Sequence, residues 1–407
     1  MGGSPDVIIA GGGIVGCACA YFLTEAGARV LVLERGPLGA GASKAGMSHV
    51  ITWEEPAMHL ALARASQRLY AALAETLPGD IEYRQTGSMA VAEQEDGLAP
   101  LQAMLNRLRQ AGVEGAFVDG RGLRAIEPRL APDLAGGAYF PGDSMVNPLA
   151  ATRALAEGAR QFGAEIRTLQ GVDGIERGSN GRITGVIAGG TSIPTGCLVI
   201  AAGAWSAEVG RMAGVDLPIR PRKGVLAVTA PAPEAFLTVK AILSAGYIDS
   251  IHGGDGAGGA AIAANIQQVR NGNLILGTTR AFSGFDVQVE SRVARQMLAR
   301  CARLLPDLRR LQVMRMWAGL RPWSPDLLPL VGPVTAAPGL FVAAGHEGIG
   351  ITEAPITGLL IRQMIFEQDT ELPVGALSPD RFQHSTPSGG EYDQEVQGRV
   401  RRQRDTV

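Results

Sequence analysis

Residues Asp6 to Arg35 read DVIIAGGGIVGCACAYFLTEAGARVLVLER: an apolar run, a glycine turn, an apolar helical stretch and a second apolar run. That order is a βαβ unit. Gly11, Gly13 and Gly16 supply the GxGxxG spacing. Gly11 permits the tight turn, Gly13 lets backbone approach a pyrophosphate, and Gly16 lets helix and strand pack closely. The helix N-terminus, opening with Ile14 and Val15, turns N–H groups toward phosphate oxygens. Glu34 closes the second strand, where a carboxylate accepts the hydroxyl protons of an adenosine ribose and repels a 2′-phosphate. Arg35 follows it. A dinucleotide is predicted, and this stretch alone leaves NAD and FAD open.

The next segment separates them. A nicotinamide dehydrogenase continues with further strand and helix repeats, whereas this chain runs into GPLGAGASKAGMSH, residues Gly36 to His49. Small residues let backbone pass close to a long ligand. On these residues the chain resembles the D-amino-acid oxidase superfamily of flavoproteins, in which such a segment leads from the pyrophosphate to the flavin ring. The resemblance implies a non-covalently held FAD with contacts from Ala42, Ser43, Lys44, Gly46 and Met47. It adds Val172, Ala202 and Gly203 from segments that return beside the cofactor.

Two later segments narrow the resemblance. Gly319-Leu320-Arg321-Pro322, with Leu330-Val331-Gly332-Pro333, is similar to the signature of the glycine oxidase and sarcosine oxidase branch. Gly345-His346-Glu347-Gly348-Ile349-Gly350 is similar to its closing flavin loop. That loop, with Pro221-Arg222-Lys223-Gly224 read as a turn, also resembles bacterial D-hydroxyproline dehydrogenases and the flavoprotein subunit of hydrogen cyanide synthase. Gly319, Gly348, Ile349, Gly350, Ile351 and Thr352 are implied as flavin contacts. Because Gly350-Ile351-Thr352 opens a helix, its dipole puts partial positive charge beside the ring and stabilises the anionic reduced form.

Arg321 is the substrate candidate that the resemblance implies, since a guanidinium can take a carboxylate through two parallel hydrogen bonds. Tyr247 and His49 are expected to line the same pocket. Glycine oxidases that this chain resembles carry a second arginine after the histidine, and here Glu347 stands in that neighbourhood. A carboxylate there is expected to repel a second carboxylate, to favour an ammonium or iminium, and to argue against glycine. The predicted activity is therefore oxidation of the C–N bond of an amino or imino acid, D-amino acids and D-hydroxyproline-like cyclic amines included. An oxygen-using amine oxidase and a flavin-binding electron-relay subunit of a heteromer are the alternatives.

Composition removes other classes. The formal net charge is −2 over 407 residues, so no basic field attracts nucleic acid. Cysteines at 17, 19, 197 and 301 have no CxxC spacing and form neither a redox pair nor a metal cluster. No metal is expected. The covalent-flavin cysteine motif of monomeric sarcosine oxidases is missing. With no leader and no membrane-length apolar run, a soluble cytoplasmic protein is expected. The electron acceptor stays open between oxygen, a quinone and a partner subunit, as does homo- or hetero-oligomerisation.

An α/β architecture is predicted: a Rossmann-like FAD domain interleaved with a substrate domain built on a mixed or antiparallel sheet. The FAD domain is assigned residues 1–80, 145–217 and 315–383, and the substrate domain 81–144 and 218–314. A disordered tail is expected over 384–407. Helices are predicted over 54–77, 98–111, 148–162 and 289–305. Strands are predicted over 165–176, 182–188, 197–203, 218–230, 245–251, 260–269 and 274–279. The GxGxxG match at residues 254–259 lacks a preceding apolar strand and reads as a loop.

Overall fold

A computed structural model describes residues 3–53, 57–247 and 260–382. The expected tail, the second GxGxxG match and the first residues of the helix expected from 54 lie outside them. The opening stretch folds as strand Val7–Ala10, helix Ile14–Glu25 and strand Val30–Glu34. Val7–Ala10 is buried throughout because it lies inside a sheet covered on both faces. That six-stranded sheet runs, in spatial order, Leu330–Pro333, Leu340–Ala344, Leu198–Ile200, Val7–Ala10, Val30–Glu34 and Glu165–Thr168. All neighbours are parallel except the Leu330–Pro333 pairing with Leu340–Ala344.

On one face Ile14–Glu25 packs against helices Pro148–Gln161 and Gly350–Ile365. A small antiparallel sheet of Gly174–Arg177, Ile183–Ala188 and Thr191–Pro194 shares the core of the other face. Helix Ala57–Thr76 lies along Gly350–Ile365 and reaches it with polar side chains. Tyr70 Oη donates to the Ile351 carbonyl at 2.6 Å, Ser66 Oγ accepts from Ile356 N–H at 3.2 Å, and His59 Nδ1 is 2.7 Å from Glu353. Pro355 sits inside the Gly350–Ile365 helix.

The second sheet has eight strands in the order Val313–Trp323, Arg220–Thr229, Leu274–Arg280, Ala261–Gln268, Ala241–Ser244, Ser88–Ala92, Gly136–Phe140 and Ala116–Asp119. It is antiparallel except where Ala241–Ser244 meets Ser88–Ala92. Helix Ser291–Leu304 covers it with Val293, Ala294, Met297, Cys301 and Leu304, one stripe at helical spacing. Two-residue strands at His49–Val50, Ser144–Met145 and Arg84–Gln85 form a third small sheet. Among the described residues no helix is long and apolar enough to cross a membrane.

Several expectations need correction. The strand read over 165–176 is two strands, because the chain takes a left-handed turn at Leu169 (φ 59°) and leaves the six-stranded sheet for the small one. Pro221-Arg222-Lys223-Gly224 is strand, since it pairs residue for residue with Pro322, Arg321, Leu320 and Gly319. The same ladder keeps 315–323 in the eight-stranded sheet, so the chain rejoins the first sheet at Leu330, not at 315. The strand expected over 245–251 lies earlier, at Ala241–Ser244, and residues 248–251 are outside the described ones.

Candidate active site

A cavity of about 480 Å³ runs between the two sheets, from Glu34 and Val172 at one end to Tyr247 and Arg321 at the other. Two helix N-termini open on it. At the first, Gly11 has φ +117°, and a Cβ there would lie 2.4 Å from the Ala201 carbonyl; a Cβ on Gly16 would lie 2.0 Å from the Gly11 carbonyl. Both positions must therefore be glycine for strand and helix to pass this closely. Gly13 is the N-cap and has no capping side chain, and a Cβ on it would meet little but Ser43 Oγ at 3.4 Å. Its face is left to the cavity, as a pyrophosphate requires. The neighbouring Ile14 N–H donates to Ser43 Oγ at 3.0 Å.

Glu34 is held by two backbone donors, Gly12 N–H to Oε2 and Gly36 N–H to Oε1, each at 2.7 Å. The carboxylate is thereby fixed at the cavity wall with further lone pairs for ribose hydroxyls. Arg35 lies 4.1 Å over the Trp205 ring, and Trp205 stacks on Phe285. Trp205 lines the nucleotide end; nothing in its local sequence distinguished it from a core aromatic.

The second N-terminus belongs to Gly350–Ile365, whose N-cap Ile349 offers no capping side chain. Gly348 through Thr352 line the cavity, and Thr352 Oγ1 donates to the His49 carbonyl at 3.0 Å, joining this helix to the His49–Val50 strand. Ala42, Ser43, Gly46, Met47, Ala202, Gly203 and Gly319 also line it. A Cβ on Gly319 would lie 2.4 Å from Ala45 Cβ and one on Gly46 2.6 Å from Ile351 Cδ1, so the glycines keep this wall thin. Gly16 packs against Gly11, the close approach of helix and strand expected of it, and does not itself line the cavity. Of the contacts expected from the segment after Glu34, Lys44 lines a separate cavity instead. The glycine turn, the ribose acid, the thin wall and the second helix end together fit a bound FAD. Among the described residues no cysteine lines the cavity, and no group of three or more His, Cys, Asp or Glu is placed to hold a metal ion.

All four catalytic candidates, Arg321, Tyr247, His49 and Glu347, line this one cavity. Arg321 lies opposite Arg222 in the strand ladder. Its guanidinium donates to the Thr279 carbonyl at 3.0 Å and to Thr278 Oγ1 at 2.6 Å. It lies over Gly224, where a Cβ would come within 2.1 Å of Nη1. Burial and then the neighbouring Arg280 push it down to about 10, which leaves it charged at neutral pH.

Glu347 Oε1 is 3.3 Å from Arg280 Nε, 3.4 Å from Arg222 Nη1 and 3.9 Å from Arg321 Nε. Burial would raise its carboxyl, but Arg280, Arg321 and Arg222 outweigh that and hold it below its ordinary value. The expected repulsion of a second carboxylate does not follow from this arrangement, because the carboxylate is wrapped by three guanidiniums. Arg280 also lies 4.7 Å over the Tyr247 ring. The participation of Arg222 and Arg280 was missed in the sequence, although the Arg222–Arg321 ladder pairing would have exposed the first.

His49 is buried, and burial pushes its imidazole down to about 4 despite the hydrogen bond to Asn265. Its Nε2 is 3.0 Å from Asn265 Oδ1 and its Nδ1 3.2 Å from Gln267 Nε2, while Gln267 Oε1 accepts from Ser48 N–H at 2.8 Å. His346 lines the cavity too, held by burial and by the nearby His59 at about 3.

Known proteins share this fold and much of this sequence. The glycine oxidase of Geobacillus kaustophilus is 32% identical over 388 residues, covering 92% of this chain and 97% of that enzyme. Its crystal structure matches with a TM-score of 0.83 at 29% identity, over 93% of this chain and 98% of that one. Hydrogen cyanide synthase subunit HcnC of Pseudomonas protegens is 28% identical over 425 residues, 93% of this chain and 96% of that subunit. The family model for FAD dependent oxidoreductases, DAO, matches residues 6–364, and the chain is a member of that family: an FAD-dependent oxidoreductase.

Proposed function

We propose that the chain oxidises the carbon–nitrogen bond of an α-amino or α-imino acid, with Arg321 as the anchor for the substrate carboxylate. FAD held along this cavity would supply the hydride acceptor; the substrate would give up a hydride from the carbon bearing nitrogen and a proton from the nitrogen, leaving as an imine that water hydrolyses or that cyclises. The observation that carries this reading is Arg321 itself: a charged, partly buried guanidinium on the cavity wall, aimed by Thr278, Thr279 and Gly224. Such a group fixes a carboxylate, and with it the Cα–H, in one orientation. Glu347 then serves as a counter-charge that positions the guanidiniums around it. Because Glu347 is enclosed in that way, glycine and N-methylglycine stay within the substrate class.

Anaerobic mixing of the holoenzyme with glycine, sarcosine, D- and L-amino acids, cyclic imino acids and simple amines tests the reading. Bleaching of the flavin by acids, and a fall in their kcat/KM of roughly thirty-fold or more in Arg321→Met with FAD retained, is the expected result. Equal bleaching by amines that lack a carboxylate would overturn it. A second reading comes from HcnC, which is named as a subunit: the chain would then pass electrons beside a partner. Bleaching by no substrate with the chain alone favours that reading, and comparing oxygen uptake with dye reduction separates an oxidase from a dehydrogenase.

A further inference from the structure

The polar groups around His49 determine one another. A backbone N–H can only donate, so the Ser48 N–H at 2.8 Å identifies the Gln267 atom it meets as the oxygen. The other end of that amide is then NH₂, and its contact with His49 Nδ1 at 3.2 Å makes Nδ1 an acceptor. A neutral imidazole that accepts at Nδ1 carries its proton on Nε2. That proton meets Asn265 at 3.0 Å, which requires the Asn265 oxygen there. The Asn265 amide is thus oriented from Ser48 through Gln267 and His49, and the end left over is its NH₂. Asn265 is buried and lines the flavin cavity. It lies opposite Gly277 in the strand ladder, next to the Thr278 that receives Arg321.

We propose that Asn265 is a substrate-contacting residue whose NH₂ donates to the carboxylate end of the substrate, and that His49 and Gln267 are positioning residues that hold that amide in its donating orientation. This rests on the amino-acid reading above. It gives His49 a role other than proton abstraction: with Nδ1 engaged by Gln267 and Nε2 carrying a proton, the ring has no lone pair to offer. A donor pair from an asparagine also recognises an acceptor without adding charge, so it complements Arg321 without further repelling the surrounding guanidiniums.

The test uses the FAD-loaded enzyme with ¹⁵N-labelled histidine, the His49 signals being assigned by their loss in His49→Gln. A neutral ring protonated on Nε2 at pH 6 and 7 is expected; an imidazolium, or a proton on Nδ1, would overturn the orientation chain. Binding is read separately by titrating benzoate, a carboxylate with no oxidisable C–N bond, against the flavin spectrum. Asn265→Ala should weaken benzoate about ten- to a hundred-fold with FAD content unchanged. The isosteric Asn265→Asp should weaken it further and move the His49 signals to the imidazolium, since a carboxylate now faces Nε2–H. Benzoate binding unchanged in Asn265→Ala and Asn265→Asp overturns the Asn265 assignment and leaves the Arg321 reading standing. Benzoate binding abolished by Arg321→Met and weakened by Asn265→Ala supports both. Absence of binding to wild type by benzoate and by every amino acid tried overturns both.

Discussion

Replacing Gly224 by alanine disturbs Arg321 without altering it. The new methyl would lie 2.1 Å from Nη1, 2.6 Å from Cζ and 2.7 Å from Nη2, too close for the guanidinium to remain. It must swing away from the Thr279 carbonyl at 3.0 Å and Thr278 Oγ1 at 2.6 Å. Two hydrogen bonds from a charged donor are worth about 1.5–3 kcal/mol each, but a swung guanidinium recovers part of this from water, so the loss of fold stability stays at about 1–3 kcal/mol. The functional loss is larger. Removing a buried charge contact to a carboxylate costs about 2–5 kcal/mol, or roughly thirty- to several-thousand-fold in kcat/KM. A displaced arginine should fall at the lower end of that range. The assay is stopped-flow flavin reduction by the best carboxylate substrate in wild type, Gly224→Ala, Arg321→Met and the double variant. Gly224→Ala should be nearly silent once Arg321 is methionine, because both changes remove the same contact. An equal loss in both backgrounds would mean that the methyl acts by obstructing the cavity or bending the strand, and the argument from guanidinium placement would fail.

Glu347→Gln should lower unfolding stability in urea by on the order of 3–5 kcal/mol, since it leaves buried guanidiniums without their carboxylate. Because the folded carboxyl lies below its ordinary 4.5, that contribution is complete above pH 4.5 and is lost as pH falls through the folded value, so the two proteins should converge in acid. His49 and His346, held near 4 and 3 against an ordinary 6.5, should contribute stability that is complete above pH 6.5 and lost as pH falls toward those values. In the same way neither should produce a limb in the flavin-reduction profile between about pH 5 and 8, and a limb in that window that disappears in His49→Gln would contradict the assignment. Gly13→Leu should yield a folded but colourless protein, because its side chain enters the pyrophosphate space; visible absorbance per protein on purification checks this.

The parts of the site legible in sequence are those made by short segments whose own geometry dictates their use. The glycine turn at Gly11 to Gly16, the acid at Glu34 and the helix opening at Gly350 are local structures, and their spacing carries their chemistry. What could not be read depends on pairing between distant strands. Arg222 and Arg321 meet because Arg220–Thr229 and Val313–Trp323 run antiparallel in one register. A slip of one of these strands by one residue would turn its arginine to the opposite face and separate the pair. Asn265 and Gln267 reach His49 across more than two hundred residues of sequence, and neither residue type stands out in a strand. Glu347 was legible as a position but not as a charge state, since the guanidiniums that enclose it come from three different strands. Lys44 shows the converse: a residue inside a recognisable segment can line a different cavity while its neighbours Ala42, Ala45 and Met47 line the first.

The hydroxyl of Tyr70 on the Ile351 carbonyl has a bearing on which ancestors this chain can have had. In an uninterrupted helix that carbonyl accepts from the N–H of residue 355, and proline there has none to give. Tyr70, from another helix, supplies the missing donor at 2.6 Å. Pro355 is therefore conditional on Tyr70, and Tyr70 is not conditional on Pro355. A lineage that acquired Pro355 before Tyr70 would have carried a buried carbonyl without a donor, at a cost of about 1–3 kcal/mol, whereas the reverse order passes through no such intermediate. Going backward, Tyr70→Phe should be harmful beside Pro355 and nearly neutral beside Pro355→Ala. Relatives with a non-proline residue at this turn are then free to have lost the tyrosine, and relatives that keep the proline are not.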